Sequence, residues 1–163
     1  MNALDILHYG HAEVQRAFDG LDATDWERPG VTTRWSPRDV LAHLASYERL
    51  IEDVLSAALG RTPTPTLDAM HADHAAFNDA QVLARQARTP QSIREEYDAA
   101  HDHVMTLAKE LGPDRLRAVG TIPWYGPDYA LDDFIVYANY AHKREHCGEV
   151  RQFRLRARQA TAR

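Results

Sequence analysis

A single cysteine, Cys147, occurs in the 163 residues, so no disulfide can form within the chain and a packed interior must hold the fold together. Nowhere does an apolar run approach the 18 or so residues that a membrane-spanning helix needs. Basic charge is not in excess either: the formal net charge is -5, which gives no broad attraction toward phosphate backbones or anionic lipid. Nucleic acid and membrane are therefore not expected as partners. The opening residues, Met1-Asn2-Ala3-Leu4-Asp5, lack the basic and then apolar pattern of a secretory leader, and with the lone cysteine they point to a cytoplasmic protein. Period-two alternation, internal repeats and low-complexity segments are missing, as are an HExxH motif and the paired Glu-x-x-His motifs of a di-iron bundle.

What is present is an ordinary globular composition, 44% apolar and 26% charged, in a chain of the usual single-domain size. Residues 1–155 are expected to form one domain, followed by a basic tail over 156–163; the arginine run Arg151, Arg154, Arg156, Arg158 and Arg163 reads as a solvated helix end. Leu4, Leu7, His11, Val14, Phe18 and Leu21 recur at spacings of three and four, which predicts a helix over residues 3–20. Ser36-Pro37 with Asp39 is a cap, first-turn proline and capping-box carboxylate, so a second helix should run over 37–59. Residues 67–88 read as a shorter helical crossover, and Thr89-Pro90 opens a third long helix that should stop at Gly112-Pro113. An aromatic loop with Trp124 and Tyr125 precedes a last helix over 131–155, whose inner stripe is expected to be Leu131, Ile135, Ala138, His142, His146, Glu149 and Phe153. Four long amphipathic helices predict an all-α four-helix bundle, with helices two and three parallel across the long crossover.

Nine histidines are present, and three carry the chemistry. His142 and His146 are four apart on one helix, which puts both imidazoles on the same face one turn apart, and His43 occupies the inner edge of the second helix between Val40 and Tyr47. Antiparallel packing of those helices brings the three to a similar height. Three neutral imidazoles suit zinc, nickel or ferrous iron and leave coordination positions open for water or substrate. His11 reads as a core histidine. His71-x-x-His74, Asp98-x-x-His101 and His101-x-His103 are expected at solvent or on helix flanks. Glu149 and Tyr47 are candidate proton-transfer groups beside the triad.

Trp35-Ser36-Pro37-Arg38-Asp39-Val40-Leu41-Ala42-His43-Leu44, Phe77-Asn78 and Tyr140-Ala141-His142-Lys143-Arg144-Glu145-His146 resemble the corresponding stretches of the DinB/YfiT-like four-helix bundles, a family that includes bacillithiol- and mycothiol-linked S-transferases. The resemblance spans nearly the whole chain. It implies that His43, His142 and His146 match the family's metal triad, that the protein forms a homodimer, and that a low-molecular-weight thiol can serve as cofactor. The expectation is a metal-dependent enzyme activating a thiol, as an S-transferase, or water, as a hydrolase, for attack on a small-molecule substrate. The rivals are a non-catalytic small-molecule binding or sequestering protein of the stress response and a metal-free structural homodimer.

Overall fold

Asn2 and Ser36 each accept the backbone N–H three residues on while Asp5 and Asp39 answer their own N–H groups, and these two capping boxes start α1 (Ala3–Phe18) and α2 (Pro37–Ala58). The computed structural model describes residues 2–161, and Arg163 of the arginine run lies outside them. The expected crossover helix is two helices, α3 (Pro65–Ala72) and α4 (His74–Ala84), because Asp73 leaves helical geometry and accepts from Ala76 N to cap the second. α5 (Pro90–Leu116) breaks at Gly112-Pro113, where its regular run was expected to stop. Gly112 takes φ 72°, a conformation glycine adopts without penalty, and Pro113 begins one more turn beyond the kink. After the aromatic loop come α6 (Leu131–Phe134), a π-helical stretch (Ile135–Ala141) and α7 (His142–Thr161). No strand occurs among the described residues, and no helix there is long and apolar enough to cross a membrane.

Side-chain pairs fix the helix directions. Arg49 reaches Glu96, Glu48 meets His101, Glu52 meets His103 and Arg61 meets Glu110, so α2 and α5 ascend together. Gln15 with Asp98 and His11 with His101 set α1 against α5. α1 and α7 are parallel: Arg151 pairs with Glu13, and Arg154 donates to the carbonyls of Ala17 and Gly20. Three of the arginines read as a solvated end thus tie α7 down, since Arg156 also donates to the Gly30 carbonyl.

The interior is two apolar clusters with a polar layer between them. One gathers Leu7, Leu50, Val54, Val104, Phe134 and Ile135, and the other Val14, Leu41, Leu44, Ile93, Val150 and Phe153. Each fully buried aliphatic side chain contributes on the order of 1.5–3 kcal/mol relative to exposure. On every long helix the residues between the two clusters are polar or minimal: Gly10 and His11, Glu48, His101, and Asn139 with Lys143.

The last helix is turned relative to expectation. Its deepest stripe is Ile135, Asn139, Lys143, Cys147 and Val150, all at most 2% exposed. His142, His146 and Glu149 lie one residue to the side and are only half-buried, because the π-helical stretch winds about 4.4 residues per turn and shifts everything after it.

Candidate metal centre

His43 lies in the second turn of α2, where the Ser36 cap sets the helix phase, and its side chain is buried. His142 is the first residue of α7 and His146 stands one turn on. Their Nε2 atoms converge: His43 to His142 is 2.9 Å and His146 to His142 is 3.1 Å. One ligand atom from each of the three lies within 4.8 Å of the others, a group that can hold a metal ion. Tetrahedral coordination at about 2.0–2.1 Å per nitrogen requires nitrogens roughly 3.3 Å apart, close to the two His142 separations, and the third pair lies within 4.8 Å.

The donor set fits a cation better than it fits itself. His142 Nε2 faces two other Nε2 atoms and carries one proton at most, so it can donate to only one of them. Burial, then the neighbouring His142 and His146, lowers the His43 pKa to about 2; burial, then His146 and Lys143, lowers that of His142 to about 3. Both rings are neutral at pH 7, as ligands must be. His146 Nδ1 lies 2.7 Å from Glu149 Oε2, a bond that puts the proton on Nδ1 and turns the Nε2 lone pair toward the centre. The Nδ1 atoms of His43 and His142 are buried with no hydrogen-bond partner among the described residues.

Two aromatic walls flank the triad. The Trp35 ring is 4.8 Å from that of His43 and 6.4 Å from that of His146, while Tyr47 is 4.3 Å from His142 and 4.8 Å from His43. Tyr47 donates its hydroxyl to Asn78 Oδ1 at 3.3 Å, which gives the Phe77-Asn78 pair of the crossover its place; burial pushes the phenol above its usual range, so it stays protonated. On its other side Tyr47 lines a cavity of about 380 Å³ with Met70, His71, Trp124, Tyr125 and Phe134, and neither lysine nor arginine lines it.

Of the remaining histidines, His71, His74 and His103 are exposed as expected, but His101 is not: it is 5% exposed, with Nδ1 2.9 Å from Glu48 Oε1. His11 stacks on His101 at 4.1 Å and stays outside the triad. Cys147 is a buried free thiol that burial pushes up to about 11, unsuited to ligation or attack. The residues that sequence reasoning missed are those of the polar layer. Glu48 Oε2 lies 2.6 Å from Lys143 Nζ and accepts from Asn139 Nδ2 at 3.2 Å. Burial alone would raise Glu48, but Lys143 and then His101 outweigh it and hold the carboxyl at about 2. The signal was in the spacing: Asn139, Lys143 and Cys147 recur every four residues, and Glu48 falls between the apolar positions Leu44 and Ile51.

The family model of the mycothiol maleylpyruvate isomerase N-terminal domain matches residues 7–135. The chain belongs to that family. The family is part of the DinB/YfiT-like helical superfamily, whose members bind metal. The matched span carries His43 and ends before His142 and His146, so the convergence of the triad is independent of it. No curated protein and no solved structure matches the chain.

Proposed function

We propose that this family member is a metal-dependent S-transferase in which His43, His142 and His146 hold one divalent ion, zinc or nickel before iron, and a low-molecular-weight thiol attacks a small electrophile there. The observation that carries the reading is the convergence of three Nε2 atoms from two helices. α1, α2, α5 and the last helix would form the four-helix bundle around this centre. A divalent ion at such a site favours deprotonation of a thiol or water that reaches it.

The protein's own residues have narrower tasks. Glu149 orients His146 and is committed to its Nδ1, which argues against a free general base and favours a thiol over water as nucleophile. Tyr47, kept protonated, walls the centre and can donate a hydrogen bond but not accept a proton. The cavity on its far side offers mostly aromatic and aliphatic surface, with His71 and His74 in its lining and no lysine or arginine. It suits a flat, uncharged electrophile better than the dicarboxylate in the family's name.

Monobromobimane, which is flat and uncharged, tests this with mycothiol as thiol: the C–S bond forms, bromide leaves and the thiol proton goes to solvent. Conjugation above the uncatalysed rate, measured in matched samples without protein, should require the metal and be lost in His142→Ala. A protein-dependent rate unaffected by chelation or by that variant, or no protein-dependent rate in the metal-loaded parent, would overturn the reading. Metal-dependent ester cleavage without any thiol would favour the hydrolase.

A further inference from the structure

The Glu48 carboxylate is the meeting point of the polar layer, and the residues it binds straddle a change of helix type. Asn139 belongs to the π-helical stretch Ile135–Ala141, whereas Lys143 is the second residue of α7. The junction between them is His142, and His43 stands on the same helix as Glu48, five residues earlier. Two cross-links therefore join α2 to the last helix side by side: Nε2 to Nε2 between His43 and His142, and carboxylate to ammonium between Glu48 and Lys143.

Winding decides where the last two ligands point. Each residue of α-helix turns about 100°, and a π-wound turn holds roughly one residue more. Rewinding 135–141 as α-helix would rotate His142 and His146 by roughly 100° about the helix axis relative to Phe134 and Ile135, far enough to carry them off His43. Burial of Cys147, Val150 and Phe153 favours the present register too, but apolar contact is not directional and tolerates small shifts. A carboxylate at 0% exposure is different: it needs both of its oxygens met. Asn139 and Lys143 meet Oε2 only in the π register, while His101 on α5 holds Oε1.

We propose that Glu48, Lys143 and Asn139 are positioning residues that lock the last helix in its π-wound register and so aim His142 and His146 at His43. The proposal rests on the metal reading above and adds the device that builds the centre. It also explains why the bundle keeps a charged pair where apolar residues would pack: replacing such a pair by hydrophobic groups of similar size commonly leaves a fold as stable or more so, so selection for stability alone does not account for it.

That contrast supplies the test. The double variant Glu48→Leu with Lys143→Met removes both charges, and its helicity and thermal transition are read by circular dichroism. Zinc affinity is measured by competition titration, and cobalt(II) serves as a spectroscopic probe of ligand geometry. The lock predicts a folded double variant whose zinc Kd is at least about 10-fold weaker than that of the parent and whose cobalt absorption is altered. A folded double variant with parental zinc affinity and cobalt spectrum overturns the lock while leaving the metal centre standing. A parent that binds no zinc overturns both. If the double variant does not fold, Asn139→Leu decides: it keeps the ion pair and cuts only the contact inside the π-helical stretch, and it should bind zinc more weakly, whereas parental affinity rejects the proposal.

Discussion

His146 donates its Nδ1–H to Glu149 Oε2 in a 2.7 Å hydrogen bond, and this one bond chooses the tautomer that turns the other ring nitrogen toward His142. On sequence spacing Glu149 could orient an imidazole or take a proton; the structure makes it the hydrogen-bond partner of His146. Glu149→Gln should therefore weaken zinc binding by roughly 10-fold, since loss of a carboxylate behind a ligating histidine costs 10–100-fold. Its thermal stability without metal should change little, because the Glu149 side chain is 35% exposed. A zinc Kd equal to the parental value in a competition titration would remove Glu149 from the centre.

Stability without metal should fall on acidification from about pH 6.5 downward, starting above the ordinary carboxylate range. His43 has a folded pKa of about 2 against an unfolded value near 6.5, so below pH 6.5 the unfolded chain binds a proton that the folded chain refuses. Stability is therefore full above pH 6.5 and declines as pH drops toward the folded value, by on the order of 2 kcal/mol from His43 alone at pH 5. His142, at about 3, adds to the same slope. Urea melts between pH 8 and 5 on chelated protein read this directly. The decline should shrink in His43→Phe, and an equal decline in that variant would contradict the assignment.

The polar layer predicts an asymmetry between single and double changes. Lys143→Met leaves the Glu48 carboxylate buried with its main cationic partner gone, at a cost of about 3–5 kcal/mol, which corresponds to a Tm lower by roughly 10 °C or more. Adding Glu48→Leu to the same chain should recover most of that Tm. Thermal melts of the two variants settle the point, and a double variant no more stable than the single one would mean that the pair is not coupled as its geometry indicates.

Tyr47 stands between the triad and the aromatic cavity, and burial keeps its phenol protonated. Tyr47→Phe deletes the bond to Asn78 and should cost about 1 kcal/mol, leave zinc affinity unchanged and lower turnover less than threefold, because proton transfer by a general acid or base is typically worth 100-fold or more. A turnover loss of that larger size, with zinc binding intact, would make the Tyr47 hydroxyl catalytic.

The helix starts were legible because their signals are local: Ser36-Pro37 with Asp39, and Thr89-Pro90, act within four residues of chain. The partners His43, His142 and His146 were legible because helical spacing fixes a face, and because packing two helices antiparallel needs only their order along the chain. What escaped was phase. A π-helical stretch leaves no reliable mark in sequence, since Ile135-Val136-Tyr137-Ala138-Asn139-Tyr140-Ala141 suits either winding, and the choice is made by what α2 and α5 present to it. The same blind spot hid Lys143 and Glu48, which look like surface residues until a partner 95 positions away is brought within 2.6 Å. Asp73 was a third miss: a single capping carboxylate split the crossover into α3 and α4.

Everything in the functional reading depends on a metal ion at the triad, and the most direct measurement is the metal content of protein purified without a polyhistidine tag, by elemental analysis of the parent beside His43→Ala and His142→Ala. The account predicts about one divalent ion per chain in the parent and near none in either variant. Less than about one ion per two chains in the parent after exposure to zinc, or equal occupancy in all three proteins, would contradict it.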